Sequence, residues 1–124
     1  MPHRFLIALA ALLLLTGVAA GAFGAHALKR MVAADMLAVW HTAVLYQLVH
    51  GLGMLLIAVL AGQHGAPLMA LACKIMFAGV LVFSGSLYVL VLTGAGWLGA
   101  ITPLGGLAFL VAWAMVAWGA LRAG

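Results

Sequence analysis

The stretch Phe5–Ala25, FLIALAALLLLTGVAAGAFGA, carries no charge and a single polar side chain, Thr16. About 20 mostly apolar residues suffice to cross the hydrocarbon core of a bilayer as a helix. Three more long apolar stretches follow at Trp40–Ala61, Pro67–Leu92 and Pro103–Leu121. Of the 124 residues, 69% are hydrophobic and 5% are charged. A water-soluble domain of this length would lack the polar surface to cover itself. The chain is therefore expected to be all-α: one transmembrane domain over residues 1–124, an integral membrane four-helix bundle. Its links are short, which makes successive helices antiparallel neighbours.

The first stretch has a competing reading. Pro2, His3 and Arg4, then an apolar run, then Val18-Ala19-Ala20, mimic the basic end, core and small-residue cleavage site of a secretory signal. The run continues through Gly21–Ala25, however, long enough to span. A true first helix is the favoured reading.

The formal net charge is +4, from five Lys and Arg against Asp35 alone. The cations are scattered at Arg4, Lys29, Arg30, Lys74 and Arg122. All but Lys74 fall near span ends, where they meet headgroups. Nucleic acid is not an expected partner, because phosphate binding needs clustered cations. Cys73 is single, so no intrachain disulfide forms.

Small residues mark the packing surfaces. Gly17 and Gly21 form a GxxxG pair continued by Gly24, and Gly85, Gly105 and Gly106 recur near the later spans. In lipid such positions let helix backbones approach closely. Packing inside the bundle is the first reading and dimerisation the second. Between the first two spans, His26–Val39 is less apolar, and Leu28, Met31 and Val32 sit at helical spacing beside Lys29 and Arg30. That pattern suits a short interfacial helix. Asp35 is placed to cap the second span, and Trp40 marks an interface.

The second span holds Tyr46, Gln47 and His50. Tyr46 and His50 share one face, and Gln47 lies on an adjoining stripe. His41 is about half a turn out of phase with His50, so the two do not converge. The turn Gly62–Pro67 leads into the third span, where Lys74 can snorkel to the surface and Ser84 and Tyr88 share a face. The loop Thr93–Gly99 is glycine-rich but lacks the lysine of a phosphate loop.

Four strings then stand together: Gly21–His26 (GAFGAH), Tyr46-Gln47 with His50, Phe83–Tyr88 (FSGSLY) and Thr102–Gly106 (TPLGG). In order and spacing they resemble the YgdD/YwdK family of small bacterial inner-membrane proteins, a domain of unknown function (423). The resemblance covers nearly the whole chain. It implies four spans in the cytoplasmic membrane and brings no activity, cofactor or catalytic residue.

At 1.5 Å per residue, His50 lies about 16 Å from the Gln63 loop, Tyr46 about 22 Å and Ser84 about 25 Å. The candidate polar core is thus His26, Tyr46, Gln47, His50, Ser84, Ser86, Tyr88 and Thr102, gathered in one half of the bilayer. Hydrogen bonds among such side chains can serve simply as glue between membrane helices. They can also line a pocket for a small molecule, ion or lipid headgroup, since an intramembrane ionisable residue marks a functional site by default. Neither a metal nor another cofactor is expected: no HxxxH pair supports zinc, and His26 lies nearer the surface than His50. With one carboxylate and an unactivated cysteine, an enzyme is not expected either. The expected product is a non-catalytic membrane protein, structural, accessory or lipid-binding, with membrane lipids as partners. A homo-oligomer, or a subunit of a larger membrane complex, stays open. The alternative is an oligomeric carrier or channel using Tyr46, Gln47 and His50. Both termini and the Gln63 loop share one side, which the reading places in the cytoplasm.

Overall fold

The computed structural model describes residues 3–64 and 67–122. Pro2 of the signal-like start and Gly65-Ala66 of the expected turn lie outside the described residues. Four helices carry the chain: α1 (His3–His26), α2 (Ala34–His64), α3 (Pro67–Thr93) and α4 (Thr102–Arg122). Each is long and apolar enough to cross a membrane. Pro67 opens α3, a position where its missing N–H costs nothing. Gly94, at φ 74°, ends the same helix in the left-handed conformation that glycine tolerates best.

The helices pack in chain order, α1 on α2, α2 on α3 and α3 on α4, while among the described residues α1 and α4 form no packed interface. The result is a staggered layer rather than a closed ring. All four helices contribute to the core, α2 and α3 most, and it centres on Leu6, Met54, Ile57, Met76, Val80 and Phe109. A smaller cluster of Leu28, Trp40, Val44 and Val91 closes one end. Leucines such as Leu15, Leu56, Leu81 and Leu110 point outward. In lipid that is the favourable arrangement, since acyl chains solvate them.

Close approach follows the glycines. On α1, a Cβ at Gly17 would stand 2.8 Å from Leu48 Cδ2, and one at Gly24 would stand 2.7 Å from the Trp40 ring. Gly21 faces Val44 in the same row. The GxxxG surface is thus spent on α2 within the chain. Gly105 is the tightest: its Cβ would lie 2.5 Å from the Phe83 backbone nitrogen. Gly85 meets nothing within 4 Å and Gly106 only Phe83 at 4.0 Å, so neither is needed for packing.

Two local expectations change. The interfacial segment is a single 3-10 turn, Leu28–Arg30, in which Leu28 is fully buried. The second helix starts at Ala34, so Asp35 lies inside its first turn rather than ahead of it. It still meets the positive end of the helix dipole there. Trp40 packs inside the bundle: it is buried, and its Nε1–H donates to Ala20 O of α1 at 2.8 Å. A further 3-10 turn, Gly96–Ala100, occupies the glycine-rich loop.

Candidate functional site

The polar side chains of the spans sort into two groups on neighbouring faces of α2. The first lies between α1 and α3. Gln47 is buried there, and its Nε2 donates to Leu13 O and to Thr16 Oγ1, both at 2.8 Å. Its Oε1 accepts from the Tyr88 hydroxyl at 2.6 Å. The missing side chain at Gly17 lets the Gln47 stem lie across α1, where a Cβ would stand 3.4 Å from its Cγ and Cδ. Thr16 in turn donates to Leu12 O. Nearby, Ser84 donates to Ala43 O at 2.7 Å, which ties α3 to α2. Ser86 and Thr102 share a 2.6 Å hydrogen bond that ties α3 to the start of α4. In this group each donor has found an acceptor inside the protein. In hydrocarbon that is what unsolvated polar groups require.

The second group faces α4. Tyr46 and His50, one helical turn apart, hold their rings nearly parallel, at 9° and 5.8 Å between centroids. The His50 imidazole stacks on Phe109 of α4 at 3.7 Å and 12°. Phe83 from α3 meets Tyr46 at 4.6 Å, and Trp113 approaches His50 at 5.9 Å. These rings line a groove of about 540 Å³ with Pro103, Gly106, Leu107 and Leu110. Gly79 admits Phe109 to its place, since a Cβ there would come within 2.9 Å of that ring.

His50 is 6% exposed, and its Nδ1 lies 2.9 Å from Tyr46 O. A carbonyl can only accept, so Nδ1 carries the proton and Nε2 of the neutral ring is a bare lone pair. No described residue gives Nε2 a hydrogen. Yet no fully buried side-chain nitrogen or oxygen lacks a partner among the described residues. Nε2 is therefore not sealed inside the packed protein, and His50 lines both this groove and a smaller hollow with Leu45, Tyr46 and Val49.

The residues named from sequence thus separate. Gln47, Ser84 and Tyr88 meet around α2, and Ser86 meets Thr102 close by. Tyr46 and His50 face α4 instead, so Tyr46, Gln47 and His50 do not line one pocket. His26 is exposed at the end of α1, away from both groups. Among the described residues no three His, Cys, Asp or Glu side chains gather as a metal site. Cys73 is buried against Met54 O. Thr16, Trp40, Phe109 and Trp113 take part without having been singled out as site residues. Thr16 had one signal, as the only polar residue of the first apolar stretch. Phe109 and Trp113 had none beyond their four-residue spacing.

Residues 20–106 match the family described as Protein of unknown function (DUF423). The chain is 44% identical to the UPF0382 membrane protein YwdK of Bacillus subtilis, over 96% of this chain and 98% of that one. The chain belongs to the DUF423 family. It is also 41% identical to a UPF0382 membrane protein of Staphylococcus saprophyticus, over 96% of this chain and 98% of that one. A relative in Staphylococcus haemolyticus is 44% identical over 91% and 92%. No solved structure matches the chain. Family and fold agree on a small membrane protein with four candidate spans.

Proposed function

We propose that this DUF423 protein is a non-catalytic component of the bacterial cytoplasmic membrane that holds a small lipophilic ligand between α2 and α4. The observation that carries the reading is His50 Nε2. The other hydrogen-bonding side chains buried in the spans have partners inside the protein, whereas this lone pair has none, on a ring that lines an aromatic groove. A structural role alone is served by the Gln47 and Ser84 networks and does not call for such a group. Acid–base or nucleophilic chemistry would need a second reactive side chain beside His50, and its neighbours are aromatic rings. Both termini and the Gln63 loop lie on the cytoplasmic side in this reading, with Arg4 and Arg122 at that surface and Lys29 and Arg30 opposite. Further copies or a larger complex would assemble around the outward leucine faces.

The carrier alternative draws no support from the division of Tyr46 and His50 from Gln47, which interrupts the polar line it would use. A photoreactive residue in native membranes tests the ligand reading. At position 110, on the mouth of the groove, it should yield one discrete small-molecule adduct. At position 15, on a plain lipid-facing surface, it should yield only mixed phospholipid. The same phospholipid mixture at both positions would defeat the proposal.

A further inference from the structure

The groove's walls narrow the chemistry of its occupant. Four features constrain it. The acceptor is a neutral imidazole lone pair, so the ligand must donate a hydrogen. Aromatic rings line the space at Tyr46, Phe83 and Trp113, while Phe109 is already covered by His50. Aromatic walls of this kind favour a planar ring, stacked or edge-on. The volume, about 540 Å³, falls in the usual range for a small-molecule site and admits one substituted ring. Finally, Leu107 and Leu110 at the rim are 57% and 70% exposed, so the groove opens sideways toward acyl chains rather than toward water.

Resting on the ligand-holding reading above, we propose that the α2–α4 groove binds the reduced head ring of a membrane quinone. In this arrangement one ring hydroxyl of the quinol donates to His50 Nε2. The ring lies against the exposed parts of Tyr46 and Trp113, and the aliphatic tail leaves past Leu107 and Leu110 into the bilayer. The oxidised ring offers carbonyl oxygens and no hydroxyl, so its lone pairs would face the Nε2 lone pair. The site therefore favours quinol over quinone. It holds the molecule and transfers no electrons. A glycerolipid hydroxyl satisfies Nε2 equally well but leaves the flat walls without a ring to stack.

The test uses the full chain in nanodiscs of phosphatidylethanolamine and phosphatidylglycerol, kept anaerobic, with decylubiquinol and decylubiquinone as probes. Retained ligand is counted by mass spectrometry across a concentration series. Quinol should bind at about one per chain, about five- to tenfold more tightly than quinone, the worth of one hydrogen bond. His50→Phe keeps a ring in the stack and removes the acceptor. It should weaken quinol binding and abolish the preference, so that the two probes bind alike. Leu110→Trp fills the mouth without touching the imidazole and should weaken both. Equal affinity for the two probes, or quinol binding untouched by His50→Phe, overturns the proposal. Should His50→Phe fail to fold, the quinol preference of the unaltered chain and the weaker binding of both probes to Leu110→Trp still decide. Native lipid extracts separate the two levels of the reading. A His50-dependent lipid that is not a quinol overturns this inference alone, and no His50-dependent species of any kind overturns the ligand-holding function as well.

Discussion

Gln47 and His50 stand three residues apart on one helix, yet packing gives them opposite fates. Gln47 turns toward α1 and makes three hydrogen bonds with Leu13, Thr16 and Tyr88. His50 turns toward α4 and keeps one ring nitrogen for its own backbone, leaving the other open. Replacing Gln47 by Leu strands the Tyr88 hydroxyl in an apolar setting. Gln47→Leu should cost about 1–2 kcal/mol, since each bond between membrane helices is worth roughly 0.6–1.7 and an unpaired buried group adds its own penalty. The check is thermal unfolding in mild detergent, and an unshifted midpoint would show the network to be idle. Ser84→Ala should cost less, about 0.5–1.5 kcal/mol, because a single bond to Ala43 O is lost. Sequence reading found these residue types because polar side chains are conspicuous in an apolar span. It did not separate Gln47 from its neighbours. Helical phase places residues on adjoining stripes but does not say which neighbouring helix each stripe will meet.

At the level of the helices, glycines with the same look in the sequence have different work. Gly105 sits against the Phe83 backbone, where an added methyl has no flexible neighbour to displace. Gly85 opens onto the groove between α1 and α3, with nothing within 4 Å of a Cβ. Gly105→Ala should therefore destabilise by about 1–3 kcal/mol through overpacking. Gly85→Ala should stabilise by about 0.5–1 kcal/mol, the helix-propensity gain of alanine over glycine. Parallel melting curves for the two variants give the comparison, and shifts of the same sign would contradict the packing described. The spans themselves were legible, since α1, α3 and α4 run close to the stretches that apolarity marks out. The start of α2 was not. Trp40 looks like the start of the span in sequence, but its ring lies on Gly24, its N–H reaches Ala20 O, and the helix already begins at Ala34. That contact joins residues 20 apart and leaves no local signature.

At the scale of the fold, the decisive property is that, among the described residues, α1 and α4 flank the layer without packing on each other. Two grooves follow, one between α1 and α3 over α2 and one between α2 and α4 over α3. The first is bridged by the Gln47 network and the second is left to the aromatic rings. With Cys73 replaced by Ser, paired cysteines test this order. A pair at Gly17 and Leu48 should cross-link readily, whereas pairs between the middles of α1 and α4 should not cross-link within one chain. Efficient α1–α4 bridging in single chains would mean a closed bundle and no lateral groove. The central claim remains that the α2–α4 groove is an occupied site. An experimental map of protein taken from native membranes without stripping its lipid tests this most directly. The account predicts a compact, ring-shaped feature within hydrogen-bonding reach of His50 Nε2, continuing as a tail past Leu110. A groove closed by Trp113, or filled by the same disordered acyl chains as the rest of the surface, would contradict it.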